Sequence, residues 1–230
     1  MRRLLVMVLL IAFVGALLAT VLPSSATDQT FSTHIDNPYF PLTPGDVYRY
    51  TGGEDRQSAL DVMEVTRRTK VIAGVTTREV HDQLYLDGVL AEDTLDWYAQ
   101  DDEGTVWYFG EDSKELDAQG NVVSTEGSWQ AGVDSAEQGI IMLADPRVGA
   151  SYRQEYYKGV AEDRAKVISL SETVTVPAGT FTNVLETKEW TRLEPGVASN
   201  KYYARGVGDV REVDVKGGDE HLELVSVTHS

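Results

Sequence analysis

Cysteine is absent from all 230 residues. That excludes disulfides, thiol nucleophiles, zinc–thiolate centres and iron–sulfur clusters at once. Histidine is nearly absent too, with only His34, His81, His221 and His229. No two of these stand at i, i+2 or i, i+4, so the sequence holds no local imidazole pair and no H-E-x-x-H motif. His81 and Asp82 are chain neighbours and point to opposite faces of any strand that carries them. A G-x-S-x-G elbow is missing, and Gly206-x-Gly208 lacks the third glycine and the following helix of a phosphate-binding loop. Positive charge is scarce, with 20 Lys and Arg against 37 Asp and Glu. A surface of that sign repels nucleic acid and anionic lipid, and it attracts cations, cationic ligands or basic partners.

Long apolar runs are also lacking, with one exception. Met1-Arg2-Arg3 is followed by an apolar stretch from Leu4 to Leu22, broken only by Gly15 and Thr20, and then by Pro23-Ser24-Ser25-Ala26. A basic head, an apolar middle and small residues at Ser24 and Ala26 form the pattern of a secretory signal cleaved near Ala26. Left uncleaved, the same run is long enough to anchor the chain in a membrane, and that is the only membrane contact the sequence offers. Removing residues 1–26 leaves 18 basic against 37 acidic residues, a net −19 for a secreted or periplasmic protein. Residues 27–44 read as an extended lead-in, because Ser32–Pro44 holds three prolines; Tyr39, Phe40 and Leu42 would pin it to the core. Residues 45–230 read as one domain.

What is abundant is alternation. Asp46–Thr51 and Ala59–Thr66 alternate polar and apolar residues, the signature of half-buried strands, with Leu60, Val62 and Val65 expected to face inward. Turn residues separate such runs at Ala73-Gly74, Asp87-Gly88, Asp101–Gly104, Gln119–Asn121, Pro177–Gly179, Glu194–Gly196 and Lys216–Asp219. Asp87-Gly88 suits a type I′ turn, since both residues tolerate positive φ. About eleven to thirteen strands of ordinary length result, joined by loops so short that neighbours must be antiparallel. The fold class is therefore all-β, a curved meander sheet or partly open barrel. Gly127–Gly149 breaks the rhythm and reads as one long loop with a short helical turn laid over one side.

Five stretches carry a resemblance: Ile35–Gly52 (IDNPYFPLTPGDVYRYTG), Leu95–Asp112 (LDWYAQDDEGTVWYFGED), Ser124–Val133 (STEGSWQAGV), Tyr152–Asp163 (YRQEYYKGVAED) and Lys201–Val213 (KYYARGVGDVREV). Together they resemble a family of exported bacterial proteins over residues 34–227. The resemblance implies export, and it carries no activity or catalytic residue to transfer. More locally, Val176–Phe181 and Tyr203–Gly208 are similar to a pattern in envelope proteins of lipid-carrier type. Their curved sheets form half-barrels that hold an apolar ligand.

Candidate chemistry gathers between Glu92 and Glu115. Asp96, Asp101, Asp102, Glu103 and Glu111 are the candidate Ca²⁺ ligands, although the spacing does not match an EF-hand loop. Solvated hairpin loops with acidic turn formers are the favoured reading of the same residues. Asp96 and Glu111 could face each other across one hairpin, as the two carboxyl groups of a glycoside hydrolase do. Trp97, Trp107, Tyr108, Trp129, Tyr152 and Tyr156 are the candidate ligand-binding aromatics; cross-strand packing is their alternative role. Along Gly149–Tyr157 both faces carry polar groups, which fits either an inner cavity with a polar lining or a charged edge strand. The expectation is an exported, non-enzymatic binding protein with no cofactor. It would hold an apolar or amphipathic molecule, or a partner protein, on a concave sheet face. The alternative is a carboxylate site around residues 92–115, for calcium or for glycoside hydrolysis.

Overall fold

The computed structural model describes residues 29–54 and 56–229. The signal-like segment lies outside the described residues. Strand β1 (Phe31–Ser32) comes before the lead-in. A meander of long strands follows: β2 (Val47–Glu54), β3 (Gln57–Ile72), β4 (Val75–Leu86), β5 (Val89–Asp101) and β6 (Val106–Leu116). Five short strands come next: β7 (Val122–Ser124), β8 (Trp129–Gln130), β9 (Glu137–Met142), β10 (Ser151–Arg153) and β11 (Glu155–Tyr156). A second meander closes the chain: β12 (Arg164–Val176), β13 (Gly179–Trp190), β14 (Ala198–Ala204), β15 (Gly208–Lys216) and β16 (His221–Thr228). The described residues contain no helix.

Pairing of β16 with β2 fuses the two meanders into one antiparallel path, β10-β12-β13-β14-β15-β16-β2-β3-β4-β5-β6-β9-β11. Its two ends are consecutive in sequence. β10 pairs with β12 and β11 pairs with β9, so residues 151–156 run along the seam of an almost closed barrel. Gly139 allows the approach there: a Cβ on it would stand 2.1 Å from the Gln154 carbonyl oxygen. Arg153 and Glu137 form an ion pair of 2.6 Å across the same seam.

The turns follow residue chemistry. Asp87 and Gly88 both take positive φ, 48° and 81°, as a type I′ turn requires. The lead-in plugs one end of the barrel. Asn37 Nδ2 donates to the Gly104 and Leu143 carbonyls, and its Oδ1 accepts from Tyr39 N. Phe40, Pro41 and Leu42 then line the interior.

Two expectations need correction. Residues 127–149 hold no helical turn; β8 and β9 both pair with β6, giving its outer edge the backbone partners that a bare edge would lack. The phase of β3 is also reversed. Directly opposed residues of an antiparallel pair share a face. Asp61 opposes Leu84 and Met63 opposes Asp82, and all four line the interior. Leu60 and Val62 are half-buried on the outer face, and of the three only Val65 faces inward. The concave surface is therefore largely acidic rather than apolar.

Candidate functional site

Alternation brings one acidic row across four adjacent strands. Asp61 lies on β3, Asp82 on β4, Asp96 on β5 and Glu111 on β6, with Asp96 and Glu111 directly opposed. The row lines a chamber of about 310 Å³. Ten carboxylates border that chamber, and Lys201 is the one cationic side chain among the described residues lining it. A smaller chamber of about 150 Å³ shares Asp61, Asp82, Tyr98, Lys201 and Glu212 with the first. It adds Phe40, Leu42, Met63 and Tyr50, so one end of the interior is aliphatic and aromatic.

Tyr108 connects the opposed pair. Its Oη lies 2.9 Å from Glu111 Oε2 and also contacts Asp96 Oδ1. A phenol has one proton to donate, so satisfying both carboxyl groups takes a second proton or a cation. The titration behaviour agrees. Burial pushes the Glu111 carboxyl up to about 7. Burial, and then the charge of Glu111, holds Asp96 well above the usual carboxylate range. Asp61 is raised by burial and by Asp82, and Glu155 by burial and by Glu111. Asp61 Oδ1 is closed to solvent, and the Asp61 carboxyl hydrogen-bonds that of Asp82.

The opposite wall is built differently. Lys201 Nζ lies 3.2 Å from Glu212 Oε2 and 3.9 Å from Glu189 Oε2. Glu189 Oε1 also accepts from Thr187 Oγ1 at 2.7 Å. Despite burial, these acids hold the Lys201 ammonium well above its ordinary value.

Of the six candidate aromatics, Tyr108 alone lines the larger chamber. It stacks on Tyr98 at 4.8 Å, while Trp129 meets its edge at 5.4 Å. Trp97 is buried on the outer face, donating to Glu79 Oε2 beneath Lys70. Trp107 lies against Phe31 and donates to Asp101 Oδ2. Tyr152 is buried, and Tyr156 sits under the Arg153 guanidinium at 4.3 Å. The five candidate metal ligands do not come together. Asp96 and Glu111 line the chamber, whereas Asp102 and Glu103 are exposed. Asp101 is committed to its own turn, accepting from Glu103 N, Thr105 N, Gln29 Nε2 and Trp107 Nε1. Among the described residues no three acidic or histidine side chains are grouped to hold a metal ion. Gln154 and Glu155 do line the cavity, as a polar inner face along 149–157 implies, and they lie at the seam as well. Asp61, Asp82, Glu189, Lys201 and Glu212 escaped the reading of the sequence; for Asp61 and Asp82 the one signal was an acid at matching parity on successive strands.

No family model matches the chain, and no curated protein matches it. Two solved structures are similar. One is a candidate exported protein with a YmcC-like fold from Bacteroides fragilis, at 15% identity and TM-score 0.49, covering 83% of this chain and 98% of that one. The other is a candidate lipoprotein from Parabacteroides distasonis, at 15% identity and TM-score 0.48, covering 84% and 99%.

Proposed function

We propose that this is an exported, non-enzymatic binding protein that holds an organic amine inside its barrel. The carrying observation is the acidic row on β3–β6, which no basic side chain of those strands accompanies into the chamber. Buried carboxylates without partners are costly, and they recruit protons or cations. An ammonium group supplies the missing charge through strong, charge-assisted hydrogen bonds. The Phe40–Leu42–Met63 end accepts a carbon chain. Of the expected ligands, the amphipathic kind fits this lining and a purely apolar one does not.

Calorimetry with nonylamine and nonanoate at pH 7.5 tests the reading, because the two probes share a carbon chain and differ in charge. Nonylamine is expected to bind and nonanoate to leave no heat. Binding of both alike, or of neither, would overturn it.

The Asp96–Tyr108–Glu111 arrangement supports a second reading. Two carboxyl groups bridged by one phenol oxygen stand close to the separation of about 5 Å used by retaining glycosidases. Release of 4-nitrophenol from a panel of aryl glycosides, lost in Glu111→Gln, would favour it. A silent panel would remove it.

A further inference from the structure

Among the described residues Lys201 is the one lysine that lines the interior, and it borders both chambers. It shares the inner face of β14 with Tyr203, two residues on, and Thr187 of β13 and Glu212 of β15 directly oppose it. Lys201 therefore stands where the acidic chamber meets the smaller one, whose lining includes Phe40, Leu42, Met63 and Leu222. A primary amine beside an apolar cavity has a chemistry that the surrounding carboxylates lack: it forms a covalent bond with a carbonyl carbon. From this placement we propose that Lys201 captures an aliphatic aldehyde as a protonated imine, with the carbon chain lying in the smaller chamber.

The bond changes balance without a redox partner. The ammonium gives a proton to Glu212, whose Oε2 lies 3.2 Å from Nζ. The free amine adds to the carbonyl carbon and forms a carbinolamine. Glu212 then returns its proton to the carbinolamine hydroxyl, which leaves as water while the C=N bond forms. One ammonium and one aldehyde become one iminium and one water, and the single positive charge is kept. That charge suits the product to this wall. An iminium that loses its proton is prone to hydrolysis, and Glu212 and Glu189, at 3.2 and 3.9 Å, favour the cationic nitrogen in either form. The acids that hold the Lys201 ammonium well above its ordinary value therefore slow the attack and preserve the adduct, which makes the site a trap rather than a catalyst. The inference concerns the wall opposite the acidic row and does not depend on the amine reading.

The test is incubation of the whole protein with hexanal at pH 7.5, reduction with cyanoborohydride and peptide mapping by mass spectrometry. Reduction converts the iminium to a stable hexyl-lysine. Lys201 should carry roughly tenfold more label than the exposed Lys158, Lys166 or Lys188, because only there does the carbon chain leave water. Glyceraldehyde, whose short chain is polar, should show no preference for Lys201. Lys201→Arg keeps a cation between Glu189 and Glu212 but has no amine that forms an imine. That variant should melt as the parent does and lose the preferential label, with the exposed lysines modified as before. Hexanal labelling of Lys201 no stronger than that of the exposed lysines overturns the proposal. Equal preference of glyceraldehyde for Lys201 also overturns it, because the smaller chamber would then hold no carbon chain. Both readings come from lysines compared within the parent chain, so they decide the matter even where Lys201→Arg fails to fold.

Discussion

The two walls of the chamber use the same raw material to opposite ends. On the β13–β15 wall Glu189 and Glu212 surround Lys201, so charge meets charge within the protein. On the β3–β6 wall, Asp61, Asp82, Asp96 and Glu111 have a phenol for company and no cation. One wall is electrically complete and the other is not. The complete wall is a structural feature, while the incomplete one is where the proposed amine would supply the missing charge.

The largest expected effect breaks the complete wall. Lys201→Met leaves Glu189 and Glu212 buried without their cation, a change that typically costs about 3–5 kcal/mol. Urea unfolding should show a loss of that order, and a loss below about 1 kcal/mol would mean that the ion pairs are incidental. The next effect comes from pH. Carboxyl groups raised in the folded state bind protons there more tightly than in the unfolded chain. Their contribution to stability is therefore complete below the unfolded value and is lost as pH rises through the folded one. For Glu111 that window runs from 4.5 to about 7. The ligand-free protein should melt higher at pH 5.5 than at pH 7.5, by roughly 5 °C or more. Glu111→Gln should flatten the difference.

A smaller effect is expected at the seam. Gly139→Ala drives a methyl group into the Gln154 carbonyl and should cost about 1–3 kcal/mol, with faster amide exchange in β9 and β11. Smaller still, and opposite in sign, Asp96→Asn should stabilise the free protein by about 1 kcal/mol at pH 7.5 and by nothing at pH 5. If Asp96→Asn destabilises equally at both pH values, the incomplete wall is as structural as its counterpart.

Much of the fold was legible. Hairpins such as Asp87-Gly88 announce themselves through residues that tolerate positive φ, and the short loops dictate antiparallel neighbours. The facing of Asp96 and Glu111 across one hairpin was legible for the same reason. Which side of β3 turns inward was not. Alternation gives a period, and the phase is ordinarily assigned by assuming a dry interior. Here the inside carries Asp61 and Asp82, so the assumption placed Leu60 and Val62 on the wrong face. The register shift between Val65 and Thr69 further hides which acids become neighbours. Lys201 meets Glu189 and Glu212 only because β13, β14 and β15 align in space, and nothing local signals that meeting. The two short strands in 127–149 were missed because their pairing with β6 is tertiary, while their glycines speak for loops.

Proton counting tests the central claim most directly. Carboxyl groups that hold protons for want of a cation must give them up when one arrives. Calorimetry of nonylamine binding at pH 6.5, repeated in phosphate and in imidazole buffer, reads that exchange from the difference in heat. Release of about one proton per ligand, reduced in Glu111→Gln, is the predicted result. Heats that do not change with the buffer would contradict it.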